Sequence, residues 1–345
     1  MASRMTVKTI AAALDATALR IPDRIALVSP SPEALMRTIT AIDSEGIGET
    51  LPLNRYTYSD FRDKTNRLAG FLKAYGYGQN DVIMSDLPNV AENLVLQIAC
   101  NRIGVTYATA KGLEGMAKLT KVKGAVSATG TGFLAETSLS LPYLSGDFLL
   151  DLIHGTTNGT ISGSNDLFGL KGFQLEDNEQ SAVFSDDEES ATKLPPHAYY
   201  NSAKPFTNEE ALEMGADAAW EVAMVEEDIV CVAITLCHAF GMGSAVCSTL
   251  KEGATIVLPA VGGIRGCGIP SQRAEATLQV LESEKCTLLF ADTHTLKAFP
   301  NEESIRPERL SLKGGACKVG SGSTFLEETV KCGGATLRTL GSIPK

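Results

Sequence analysis

Residues 184–193 read Phe-Ser-Asp-Asp-Glu-Glu-Ser-Ala-Thr-Lys, so Asp186, Asp187, Glu188 and Glu189 form an unbroken acidic run flanked by Ser185, Ser190 and Lys193. Carboxylates can hold hard cations, but a run of like charges repels itself and is ordinarily solvated. We read this one as an exposed acidic loop rather than a nucleotide or metal site. The histidines at 154, 197, 238 and 294 have no partners at metal-ligand spacing, and no Ser-His-Asp order stands out. His238, in Leu236-Cys237-His238-Ala239-Phe240-Gly241-Met242-Gly243, reads either as a capping residue before a Gly-rich turn or as a group beside a ligand pocket. Thr156-Thr157-Asn158-Gly159-Thr160 reads as a surface turn, and Gly314-Gly315-Ala316 as a turn that needs glycine. No metal and no cofactor is expected.

The elements that must position these residues follow from periodicity. Phe61, Leu68, Phe71 and Leu72 lie on one helical face within 57–74, and Gly76 stands at the C-cap position. Residues 81–85 read as a short buried strand, 90–103 as a second helix and 106–108 as a strand, the alternation of a parallel sheet. Between 145 and 180 the composition turns to Gly, Ser, Thr, Asn and Asp, which reads as a linker. Beyond it, strands are expected at 182–185, 229–236, 254–258 and 287–290, with helices at 208–223, 244–250 and 272–284. The expected architecture is α/β with two doubly wound halves: a first subdomain at 1–150, a linker at 151–180 and a second subdomain at 181–345.

Several stretches resemble the N-terminal domain of adenylate-forming acyl-CoA synthetases, in order and spacing. They are Thr57-Tyr58-Ser59-Asp60-Phe61, Gly76 to Val82, Leu87-Pro88-Asn89, Arg102-Ile103-Gly104-Val105, Leu236 to Gly243, Leu250 to Pro259 and Leu310 to Ala316. The resemblance implies a Ser/Thr/Gly-rich phosphate loop ending in Pro-Lys-Gly, and the acidic run stands in its place. Aligned without a gap, Ser185 and Lys193 remain, while Asp186, Asp187, Glu188, Glu189 and Ser190 occupy hydroxyl and glycine positions. Each carboxylate within about 4 Å of a phosphate charge costs roughly 1 kcal/mol in water and about 4 kcal/mol near a protein surface. The same resemblance places the magnesium-binding glutamate at Pro344 and a pocket histidine or aromatic at His238. It also implies that Gly314 and Gly315 lie near adenine, and that the ribose aspartate, hinge and catalytic lysine fall beyond Lys345.

The function implied is that of a catalytically inactive relative serving as a structural or interaction subunit, with other protein subunits covering a sheet edge near 330–345. A divergent or split acyl-CoA synthetase, and a module that holds an acyl group or acyl carrier protein, are the alternatives. A net charge of −11 and the lack of a basic stripe argue against nucleic acid. No apolar run is long enough for a transmembrane helix. Eight cysteines without a CxxC pair read as reduced, buried thiols of an intracellular protein. Residues 1–14 hold Arg4 and Lys8 and no acid, with apolar residues at helical spacing. They read equally as a mitochondrial presequence and as the family's first helix, leaving a mitochondrial location with a cytoplasmic alternative. The expected outcome of a calorimetric titration with Mg-ATP is no heat of binding up to physiological concentration; micromolar affinity would contradict this reading of residues 186–189.

Overall fold

The computed structural model describes residues 7–30, 52–85, 87, 89–109, 122–127, 143–145, 197–198, 206–237, 239–259, 270–300, 305–318 and 329–340. Numbered along the chain, the strands are β1 (Ile25–Pro30), β2 (Leu53–Thr57), β3 (Val82–Ser85), β4 (Thr106–Thr109), β5 (Val122–Ser127), β6 (Tyr143–Ser145) and β7 (His197–Ala198). They continue with β8 (Ile229–Ala233), β9 (Thr255–Val257), β10 (Leu288–Asp292), β11 (Gly314–Lys318), β12 (Thr329–Cys332) and β13 (Ala335–Leu340). The helices are α1 (Ile10–Arg20), α2 (Tyr58–Ala74), α3 (Ala91–Arg102), α4 (Asn208–Glu221), α5 (Ser248–Glu252), α6 (Pro270–Ser283) and α7 (Thr293–Lys297). A π-helical stretch at Phe240–Cys247 leads directly into α5.

The chain forms two compact units, each built on one sheet. One unit holds an eight-stranded sheet in the order β12-β13-β11-β10-β8-β9-β1-β2. Its central pairs are all parallel, and an antiparallel strand closes each edge, β12 on β13 and β2 on β1. A parallel sheet needs cover on both faces, and its central strands are accordingly largely apolar: every residue of β10, from Leu288 to the terminal Asp292, is buried. Around it gather Val28, Val257, Leu281, Leu289, Leu337 and the thiols Cys231, Cys286, Cys317 and Cys332. The described cysteines are free, and all but half-buried Cys237 are buried. The linker expected at 151–180 does not divide the two sheets. Residues 25–57 supply β1 and β2 to the sheet of the later strands, because Leu27 and Val28 pair in parallel with Ile256 and Val257. His197 and Ala198 conversely join the sheet of the earlier strands. Such non-local pairings leave no mark in local periodicity.

The other unit holds five parallel strands in the order β6-β5-β3-β4-β7. The helical face of α2 is buried as its spacing requires, with Phe61, Leu68, Phe71 and Leu72 no more than 4% exposed, and Gly76 (φ +78°) turns the chain after it. On α3, Asn93 is wholly buried and fully engaged. It accepts from the Tyr107 hydroxyl (2.9 Å) and from Gln97 Nε2 (2.9 Å), and donates to the Leu87 carbonyl (2.9 Å). At the mouth of β3, Asp81 receives the Gly78 amide and the Lys123 ammonium, each at 2.9 Å.

In the larger unit, Tyr58 ties the start of α2 to the hairpin between α5 and β9. Its buried hydroxyl donates to the carbonyls of Ala254 (2.7 Å) and Thr249 (3.3 Å). Tyr58→Phe removes the hydroxyl donor from the Ala254 carbonyl, while the Thr249 carbonyl keeps the Gly253 and Ala254 amides, so an expected loss of about 1–3 kcal/mol should appear in urea unfolding. Burial also pushes the Cys247 thiol up to about 12. A raised folded-state value stabilises fully below the unfolded thiol's value of about 8.5, and the contribution fades as pH climbs from there toward 12. Unfolding measured between pH 8 and 11 is therefore expected to show falling stability, with a shallower fall in Cys247→Ala.

Candidate functional site

In open parallel sheets the carboxyl ends of the strands are where chemistry collects, because loops rather than helices leave from them. On the eight-stranded sheet those ends are at Ala233, Val257, Asp292, Lys318 and Leu340. Strand β8 stops three residues earlier than its apolar run suggests, and Asn89 is the reason. The side-chain amide of Asn89 donates to the Ile234 carbonyl (2.6 Å) and accepts from the Leu236 amide (2.9 Å), replacing a neighbouring strand with a side chain. Cys237 then turns back, its amide donating to Thr235 Oγ1 at 3.2 Å. Gly241, the second residue of the π-helical stretch, lies so close to this turn that a Cβ there would be 2.2 Å from the Thr235 carbonyl.

At the end of β10, Asp292 is the N-cap of α7. Its Oδ1 accepts from the Thr295 amide (2.7 Å) and hydroxyl (2.8 Å). Arg273 on α6 completes the carboxylate's partners, with Nη2 at 3.3 Å from Oδ1 and Nη1 at 3.2 Å from Oδ2. Both residues are 4% exposed, and Arg273 Nε has no hydrogen-bond partner. Register places Lys318 beside Asp292 on one side and Leu340 on the other. The Cys317 thiol is raised to about 12, first by burial and then by the Asp292 charge. The arrangement is a pair of opposed, mutually neutralised charges at the floor of the strand ends. Among the described residues no group of three or more His, Cys, Asp and Glu side chains is placed to hold a metal.

Gly314 and Gly315 do not lie at this edge. They open β11, three to four residues before its carboxyl end, and no turn requires them. Gly315 (φ +149°) is needed because a Cβ would lie 2.0 Å from the Leu289 carbonyl, so its absence lets β11 close on β10. Gly320, Ser321 and Gly322 follow β11 in the sequence. Those three, together with Ser185, Asp186, Asp187, Glu188, Glu189, Ser190, Lys193, His238 and Pro344, fall outside the described residues. Asn89, Arg273 and Asp292 were not singled out in advance. Only Asp292 had a local signal, an N-cap acid at the junction of a strand and a helix. No helix among the described residues is long and apolar enough to cross a membrane.

Removing one partner of the buried pair strands the other's charge. Arg273→Met is therefore expected to lower stability by about 3–5 kcal/mol, and the double variant Arg273→Met/Asp292→Ala by less than the sum of its parts, read by chemical denaturation.

Residues 14–113 match the family described as AMP-binding enzyme. A stretch of 59 residues is 36% identical to an uncharacterized protein of Pseudomonas aeruginosa, covering 17% of this chain and 9% of that protein. The fold is shared with solved structures. An artificially fused adenylation–PCP di-domain, NpsA-ThdA from Klebsiella oxytoca, superposes with a TM-score of 0.59 at 14% identity, over 92% of this chain and 53% of that one. The N-terminal domain of FACL13 from Mycobacterium tuberculosis gives 0.60 at 12% identity, over 91% and 70%. MbtA of Mycobacterium smegmatis gives 0.59 at 15% identity, over 91% and 53%. The chain thus spans about half the length of the NpsA-ThdA and MbtA chains it matches. Residues 14–113 thus match the AMP-binding enzyme family, and the chain shares the fold of the N-terminal domain of FACL13 and of the corresponding part of NpsA-ThdA and MbtA.

Proposed function

We propose that this chain does not adenylate and serves as a structural or interaction subunit of a larger protein assembly. The observation that carries the reading is the run Asp186-Asp187-Glu188-Glu189 where the family resemblance calls for a loop of glycines and hydroxyls. A phosphate site works by pointing backbone amides and positive charge at the ligand. A carboxylate run reverses that field, and Lys193 offsets only one of its four charges. Pro344 in place of a metal-binding glutamate supports the same reading.

An acyl- or acyl-carrier-binding module is the second reading. It is favoured by the built carboxyl edge of the eight-stranded sheet, where Asn89 and the Arg273–Asp292 pair shape the strand ends without any need for nucleotide. A split synthetase would lean on Lys193 and His238. The partner suggested for residues 330–345 remains part of the proposal, and its support is that β12 is the terminal strand of its sheet order. That strand is only four residues long and carries exposed Lys331, whose ammonium donates to Thr336 Oγ1 at 2.7 Å. Short, lysine-bearing edges resist extended pairing, so a partner there would add at most a short strand. The mitochondrial location is likewise proposed, on the strength of Arg4 and Lys8 in an acid-free N-terminal stretch.

ATP-dependent pyrophosphate exchange with the purified chain, across a panel of carboxylic acids, is expected to give no signal above a protein-free control. Native gel and size-exclusion profiles of source extracts are expected to show the chain in a large complex. Exchange activity would sink the proposal in favour of a synthetase, and a monomer carrying a co-purified acyl ligand would favour the binding module.

A further inference from the structure

The solvent face of α4 combines two features that a free surface rarely has together. Its helical sequence, NEEALEMGADAAWE, contains no basic residue. Glu209, Glu213, Asp217 and Glu221 recur every four positions and are all exposed, an acidic ladder about 18 Å long along one side of the helix. None of the four is paired with a described cation. Like charges at this spacing repel one another and weaken the helix that carries them. At the C-terminal end of the ladder stands Trp220, the only tryptophan of the chain, 84% exposed.

Trp220 is not a stray apolar residue. After α4 the chain turns through Ala223, and Val225 follows at 46% exposed. Glu226, the next residue, is ion-paired with Arg20 at the end of α1, and the residue before Arg20 is Leu19, 77% exposed. The four exposed large apolar side chains among the described residues are Val7, Leu19, Trp220 and Val225, so three of them belong to the end of α1 and the end of α4. An indole left in water forgoes the burial that makes tryptophan the commonest interface anchor.

We propose that this face of α4 docks a basic, amphipathic helical segment of another protein, whose lysines or arginines run along the ladder and whose apolar residues cover Trp220. Charge selects the occupant. An anionic membrane surface and a nucleic acid both meet the ladder with like charge. A second copy of the same face would set ladder against ladder. A cationic helix relieves the repulsion and supplies apolar contact at the one end where the ladder stops. The inference deepens the interaction role proposed above and rests on it for its setting. It is decided separately, since pyrophosphate exchange reads nucleotide chemistry and the peptide titration below reads this face alone.

The test uses the whole chain, with Trp220 as its own reporter. A synthetic amphipathic peptide of about 14 residues, built from lysine and leucine at helical spacing, is titrated while tryptophan emission is followed; fluorescein-labelled peptide anisotropy gives the affinity of variants. The expected result is a shift of emission to shorter wavelength on saturation. Affinity should fall about tenfold or more in Trp220→Ala, a loss typical of an interface anchor. It should also fall in Glu213→Gln/Asp217→Gln, with a weaker dependence on salt. A leucine–glutamate peptide of the same pattern should not bind. Equal binding of polylysine with no emission shift, or undiminished affinity in Trp220→Ala, would overturn the proposal, because charge alone would then account for the peptide. So would emission already blue-shifted and concentration-dependent in the protein alone, which would mark the face as a contact between copies. Because these substitutions are on the surface, circular dichroism is expected to be unchanged, so a loss of binding reports the surface and not the fold.

Discussion

Strand β10 has no solvent face, and much of the larger unit follows from that. Both its sides must be covered, so its neighbours bring Cys231, Ala233, Ala316 and Cys317, side chains small enough to let layers close without voids. On one side the approach is so tight that Gly315 cannot carry a side chain at all. A strand buried in this way can end in a charged residue only if that charge is answered inside the protein. Asp292 is answered three ways, by an amide and a hydroxyl of Thr295 and by the guanidinium of Arg273. Once that carboxylate is held, the start of α7, the position of α6 and the end of β10 are no longer independent.

The carboxyl edge of this sheet is built from side chains substituting for strands. Asn89 supplies to the backbone of Ile234 and Leu236 the donor and acceptor that a continuing ladder would have supplied, and so releases the chain into the turn before His238. The π-helical stretch that follows is wholly buried, and its second residue, Gly241, is pressed against Thr235. Wider helical turns of this kind gather at functional sites in many proteins because they spend backbone hydrogen-bond geometry on positioning. Scaffold and chemistry are separable: the edge is maintained by packing and hydrogen bonding, whereas binding a nucleotide depends on the charge and backbone freedom of a loop.

The surface shows the complementary economy. The larger unit keeps its apolar residues inside except near the ends of α1 and α4, and its acidic residues are concentrated on α4 without cations between them. The chain as a whole carries a net charge of −11, and this one helix carries five acids and no base.

Much of the local structure could be read from the residues. The apolar spacing of Phe61, Leu68, Phe71 and Leu72 marks α2, the runs at 229 and 288 mark buried strands, and the order of the motifs between Thr57 and Ala316 marks an adenylate-forming fold, because each of these is a property of neighbours in sequence. The acidity of residues 186–189 is also a fact of sequence. Tertiary structure decided the rest. It paired β1 with β9 across more than two hundred residues, so that the sheets do not divide where the composition changes. It placed Gly314 and Gly315 at the start of a strand rather than at its closing turn, since the need for glycine there comes from the backbone of β10 and not from the chain's own bend. It brought Arg273 to Asp292 and Asn89 to Ile234, meetings of residues on separate elements. Periodicity reports which way a side chain faces; only the packed sheet determines what it finds there.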